Sequence, residues 1–287
     1  MCVRASDADP TGRVMHNCGI CATVATLPPH ISGRADFVTR GNAPVAHPGM
    51  PHRSNLLPMD FTNTSLAWDR PLTSYSKVQQ VVAPLLRNRH FQIDKEIEQK
   101  EYLDVGCGPN THGHFINLDY SWHPDIDICW DVTKGLPLND RSVSGVFTEH
   151  CLEHLSFEAV DFVLSEFYRV LKPEGALRIV VPDGELYLTR YTELVNGGEG
   201  ASLPYSEGDE YEGIYSPIMS VNRIFRCHGH QFIYDFATFR QLLKKNRFTQ
   251  IEKKSYQSGR DPELLIDTES RAVESLYVEA TKPQSAA

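Results

Sequence analysis

Between positions 102 and 181 the chain alternates short apolar runs with polar connections. The runs at 102–105, 115–118, 126–130, 143–147 and 177–181 have the length of buried strands and are too short for helices. Between the fourth and fifth run, Val160, Val163, Leu164, Phe167 and Leu171 recur at helical spacing over 156–171. Ser156 can cap the start of that helix, and Lys172-Pro173-Glu174-Gly175 ends it. A strand, helix, strand sequence implies a parallel pair joined by a right-handed crossover. Helical spacing also marks 77–86, through Val78, Val81, Val82, Leu85 and Leu86, and 236–245, where Asp235 precedes Phe239, Leu242 and Leu243. Strands at 250–256 and 275–280 complete the pattern. Alternation of this kind predicts an α/β fold with a doubly wound sheet.

Residues 1–58 contrast with this, having neither lysine nor glutamate, prolines at 10, 28, 29, 44, 48, 51 and 58, and no helical or strand period. They read as a disordered leader, and 59–100 as an N-terminal helical extension that covers one edge of the main domain. Residues 101–283 then form that domain. Within it, 184–234 carries Tyr187, Tyr191, Tyr205, Tyr211, Tyr215 and Tyr234 amid acidic residues, and reads as a lid or acceptor insertion after the fifth strand.

Composition narrows the function classes. The net charge of -9 gives no general attraction to phosphate backbones or anionic lipid, which disfavours nucleic acid as a partner. No run approaches the roughly 18 apolar residues of a membrane span. The 7 cysteines are odd in number and irregularly spaced, and the N-terminus lacks the apolar run of a secretory signal, so a reducing, cytoplasmic setting is expected. Cys18 and Cys21 have metal-like spacing but no second pair. His150 and His154 stand four apart, which would suit a metal pair if a helix started there, yet no third ligand lies nearby in sequence. No metal is therefore expected, and Glu153 reads as a solvated surface residue. His228 and His230 could face an acceptor or merely join a turn.

Chemistry concentrates where strands should end. Asp104-Val105-Gly106-Cys107-Gly108-Pro109-Asn110 closes the first strand, and its glycines can turn the chain and let backbone N–H groups approach a ligand. The dinucleotide fingerprint would need a glycine at Thr111 and a helix directly afterwards, so a nicotinamide site is disfavoured. Asp119 ends the second strand and Asp131 follows the third. An acid at the first position can accept from the vicinal hydroxyls of a ribose, and one at the second from an adenine amino group. Together they describe an adenosine site without phosphate.

The blocks Leu103–Gly108, Asn117-Leu118-Asp119, Trp130-Asp131-Val132 with Leu136-Pro137, Glu149–Leu155 and Arg169–Gly175 resemble class I S-adenosylmethionine-dependent methyltransferases, most closely the bacterial type-11-like group. The likeness spans about residues 100 to 283. It implies a mostly parallel, seven-stranded Rossmann-like sheet whose last strand is antiparallel, with S-adenosylmethionine as cofactor. By the same resemblance Asp104, Gly106, Cys107 and Gly108 would surround the methionine moiety, Asp119 the ribose, and Asp131 with the Val132 backbone the adenine. The reaction would be in-line methyl transfer to a small or medium acceptor, with His150 or Glu149 as base if the acceptor must lose a proton. Two departures stand out. Asn110 replaces the usual third glycine, and only the nine residues 106–114 separate strands one and two, too few for a crossover helix. An aminopropyltransferase and a non-catalytic cofactor-binding module remain as alternatives. The acceptor and the oligomeric state are not legible.

Overall fold

The structure, a computed structural model, describes residues 77–89, 95–198 and 202–284. The predicted leader and the Cys18/Cys21 pair lie outside the described residues. Helices α1 (Lys77–Leu86) and α2 (Lys95–Glu98) come first, followed by β1 (Tyr102–Val105), β2 (Phe115–Asp119), β3 (Ile128–Cys129) and β4 (Val143–Glu149). Then come α3 (Phe157–Val170), β5 (Leu171–Pro182), α4 (Gly184–Val195), α5 (Pro217–Arg226), α6 (Phe236–Lys245), β6 (Thr249–Lys254) and β7 (Ser275–Thr281). The seven strands form one sheet in the order β3-β2-β1-β4-β5-β7-β6. β1 to β5 pair in parallel, and β7 runs antiparallel to both of its neighbours, as expected of the last strand.

Local sequence accounts for the helices that frame the sheet. The Ser156 side chain accepts from Ala159 N at the head of α3, and Asp235 accepts from Thr238 N at the head of α6. Val160, Val163, Leu164 and Phe167 of α3, with Phe239, Leu242 and Leu243 of α6, bury against Leu103, Val105, Val146, Leu177 and Ile179. The predicted stop at 172–175 is different in kind: it is a bulge inside β5, where the pairing jumps from Val143↔Leu171 to Gly145↔Ala176. β3 is two residues long rather than five, as befits an edge strand.

The other sheet face departs from a doubly wound pattern. No helix stands between β1 and β2 or between β2 and β3. Phe115, Phe147, Val180 and Tyr277 are covered instead by Tyr256, Leu264 and Ile266 from the β6–β7 connection. That connection is pinned by Arg178, which is wholly buried in the middle of β5. Its guanidinium donates to both carboxylate oxygens of Asp267, to Glu279, and to the Ser255 and Ser258 carbonyls. A buried charge needs such saturation.

The segment from α4 to residue 234 has its own small core of Tyr187, Leu203 and Ile224, with Leu194 and Ile233 against it. Arg223 ties it together, bonding Asp209, the Tyr187 hydroxyl and the Pro204 carbonyl. No helix of the described residues is long and apolar enough to cross a membrane.

Candidate functional site

The carboxyl ends of β1, β2, β3 and β4 meet at one edge of the sheet. β1 turns sharply at Gly106, whose N–H returns to the Leu118 carbonyl at 2.8 Å. Gly106 has φ +78°, and a Cβ there would lie 2.6 Å from both Cβ and Sγ of Cys151. Only glycine fits that backbone and that gap. Cys107 follows, buried, with its N–H also on the Leu118 carbonyl at 3.3 Å.

Asp119 shapes the turn as well as facing it. Its Oδ2 accepts from Gly108 N at 2.9 Å and its Oδ1 from Ser121 N at 2.7 Å. Burial raises its pKa, and the two backbone donors offset part of that rise. Each oxygen keeps a second lone pair, so hydroxyl donors can add to this arrangement. His123, absent from the sequence reading, is buried with its Nε2 on the Gly108 carbonyl.

Asp104 differs from Asp119 in having no donor. It is 3% exposed, and among the described residues no group donates a hydrogen bond to it. Burial, and then the nearby Glu149 and Asp119 carboxylates, push its carboxyl well above the ordinary aspartate range. Such a position favours a cationic guest.

The nine-residue crossing from β1 to β2 holds its shape without a helix. The Asn117 side chain accepts from His112 N at 2.9 Å, while its Nδ2 donates to the His112 carbonyl at 3.0 Å and to Asp127. Lys100 in turn holds both oxygens of Asp127 at 2.8 Å. An asparagine inside an apolar strand was the available signal.

At the third strand Asp131 caps a single 3-10 turn, Val132–Lys134. Its Oδ1 takes both Thr133 N and Thr133 Oγ1, and Oδ2 accepts from none of the described residues. Val132 is buried beside it. Residues at the end of helix α1 and just after it reach this side of the edge. The Asn88 side-chain Oδ1 accepts from Asp131 N, and Arg87 donates to the Tyr120 carbonyl with its guanidinium 3.4 Å above the Tyr120 ring.

The tip of β4 carries both residues predicted as bases. Glu149 accepts from Thr268 N at 3.0 Å and Thr268 Oγ1 at 2.5 Å, so the β6–β7 connection holds it in place. His150 sits at φ +49° with Nε2 on Ser275 Oγ at 2.8 Å. Burial, joined by the charge of Arg271, holds its pKa well below the ordinary histidine range. It is neutral at neutral pH.

Glu153 is not a surface residue. It is 0% exposed, because the single turn Leu152–His154 folds it inward beneath the segment that follows α5. That segment bonds back, with Gln231 N on the Glu153 carbonyl at 2.7 Å. Burial pushes the Glu153 carboxyl up to about 8, and neither oxygen has a hydrogen-bond partner. His154 and His230 lie against it, each with Nε2 4.0 Å from Oε1. His230 thus reaches this turn from far along the chain.

Tight glycine turns, a desolvated acid and two further acids at successive strand ends give this edge acceptors for hydroxyl and amino donors and a place for positive charge. A family model described as a methyltransferase domain matches residues 117–179. No curated relative matches the sequence. Among solved structures, a SAM-dependent methyltransferase from Archaeoglobus fulgidus is 16% identical over 71% of this chain and 94% of its own, at a TM-score of 0.39. One from Methanosarcina mazei is 17% identical over 66% and 94%, also at 0.39. Phosphoethanolamine N-methyltransferase 2 of Haemonchus contortus, in complex with S-adenosyl-L-methionine, is 14% identical over 64% and 48%, at 0.37.

Proposed function

We propose that the chain is a class I S-adenosylmethionine-dependent methyltransferase of the type-11 group, which methylates a small or medium acceptor at the carboxyl edge of β1 to β4. The observation that carries this reading is Asp104, a buried acid without a donor beside two further carboxylates, at the turn where no Cβ fits. A cofactor with cationic sulfur and ammonium groups supplies the missing positive charge. When bound, S-adenosylmethionine supplies an electrophilic methyl on positive sulfur, so its activation is not the protein's task.

The chain's own residues would then divide the work. Asp104 and the turn through Gly106, Cys107 and Gly108 receive the methionine end, Asp119 the ribose hydroxyls, and Asp131 with Val132 the adenine. Glu149 keeps the tip of β4 negative, and the helical segment 184–234 shields the acceptor from water and aligns its lone pair. For an amine or thiolate acceptor, alignment suffices. For a hydroxyl, His150, held neutral, is the residue to take the proton. The net charge of -9 speaks against nucleic acid as acceptor. The free thiols of Cys107, Cys129, Cys151 and Cys227 fit a reducing, cytoplasmic location.

The test is to incubate the protein with cell extract and methyl-labelled cofactor, and to follow label by mass spectrometry. Asp119→Ala should weaken cofactor affinity about tenfold to a hundredfold, the worth of charge-assisted hydrogen bonds. A folded Asp119→Ala chain with wild-type affinity would remove the ribose assignment.

A further inference from the structure

We propose that Glu153, His154 and His230 hold a divalent metal ion of the zinc class, which fastens the end of the 184–234 segment to the tip of β4. One ligand atom from each of the three lies within 4.8 Å of the other two. Around Glu153 Oε1 the ring nitrogens stand at 4.0 Å for His154, 4.0 Å for His230 and 3.6 Å for His150 Nδ1. These separations are too long for hydrogen bonds. They are close to the roughly 3.4 Å between two ligand atoms that each sit about 2.1 Å from a tetrahedral ion.

The tautomers point the same way. His230 Nδ1 lies 2.6 Å from the Ile224 carbonyl, which can only accept, so this nitrogen carries the proton and Nε2 turns a lone pair toward the carboxylate. A ring anchored at one nitrogen by a carbonyl, with the other nitrogen directed at a carboxylate, is how metal-ligating histidines are commonly held.

Independent of these distances, Glu153 is wholly buried and both its oxygens are without a hydrogen-bond partner. Two imidazoles and one carboxylate suit zinc and its first-row neighbours rather than calcium or magnesium. His154 is 25% exposed on its side chain, which leaves an entry path and room for a water as a further ligand. The ion would bridge the turn after β4 and the loop after α5, where Gln231 already bonds the Glu153 and His154 carbonyls.

The experiment uses the untagged full chain, expressed with zinc and analysed for metal by plasma mass spectrometry. About one equivalent of zinc per chain is expected, and cobalt in its place should give the visible absorption of a low-symmetry nitrogen and oxygen site. Glu153→Gln should lose most of that metal and abolish the cobalt band. If that buried change unfolds the chain, the more exposed His154→Gln gives the same readout. Chelation should lower the melting temperature of the wild type and leave the folded variants unchanged. Cys18→Ser with Cys21→Ser separates the other cysteine-based source of zinc, and the metal should persist in that double variant. A wild type without metal that also fails to bind cobalt would overturn the proposal. So would metal retained by Glu153→Gln and lost from the double cysteine variant.

Discussion

Replacing Asp104 with asparagine should move stability and cofactor affinity in opposite directions. Asparagine preserves the shape of a side chain that is 3% exposed, so its packing hardly changes. What changes is charge. In the folded wild type the carboxyl titrates well above its unfolded value, chiefly from burial and then from Glu149 and Asp119. A raised carboxyl pKa means that the folded state holds its proton more tightly. That contribution to stability is fully present below the unfolded pKa of about 3.9 and is lost as pH rises through the folded value. Asparagine has no such term, so the variant should gain on the wild type at neutral pH, with the gap closing toward pH 4. Each unit of displacement in the folded pKa corresponds to about 1.4 kcal/mol of that gap.

Binding should change with the reverse sign. A cation beside Asp104 draws its pKa back down, so the wild type should release a proton on binding and bind more tightly as pH rises. The variant offers an amide and loses a charge-assisted contact of roughly 1.5 to 3 kcal/mol, about tenfold to a hundredfold in Kd. Calorimetry in buffers of different ionisation enthalpy reads both the affinity and the proton. Thermal melts from pH 4 to pH 8 read the stability. An Asp104→Asn chain that binds the cofactor as tightly as the wild type, with no loss of proton release, would refute the role of this acid.

Gly106→Ala places a Cβ where 2.6 Å separates it from Cys151, at φ +78°, and should cost about 1 to 3 kcal/mol in urea unfolding while weakening cofactor binding. Arg178→Met strands Asp267 and Glu279 in the interior and should cost roughly 3 to 5 kcal/mol, read by the same unfolding midpoint. A loss under 1 kcal/mol would mean that the β6–β7 connection is held by its apolar contacts instead. His150→Asn should lower turnover about a hundredfold on a hydroxyl acceptor and little on an amine, with cofactor Kd unchanged in both cases. Equal turnover on a hydroxyl would end its assignment as base.

The sheet was legible because its strands write their burial into local sequence. Leu103 and Val105, or Leu177, Ile179 and Val181, face one core in register, and Ser156 and Asp235 announce the helices behind them. What stayed hidden depends on partners far away in the chain. Glu153 read as solvated because a charged residue in a short turn carries no local sign of burial, while the residue that helps enclose it, His230, comes 77 positions later. Arg178 lies inside an apolar strand run, and only Asp267 and Glu279, 89 and 101 positions on, explain its burial. In each case the readable signal was a charged residue at a position that strand or turn geometry buries. Such a residue requires a partner without naming it.

The missing first crossover helix ties these observations together. In sheets of this kind the helix after the glycine turn would aim its N-terminal N–H groups, with their partial positive charge, at the ligand. Here residues 106–114 cross with no helical turn, and Asn117, Asp127 and Lys100 hold the loop. Removing a positive helix terminus from an edge that already holds Asp104, Asp119 and Glu149 leaves the field there negative. A negative, desolvated edge discriminates by charge more than by hydrogen-bond count, because few donors remain to define a neutral guest. The shortened crossover therefore does not argue for a lost activity. On the proposed function, an acidic edge stands in place of an N-terminal anion cradle, which suits a cofactor whose reactive atom is a cation.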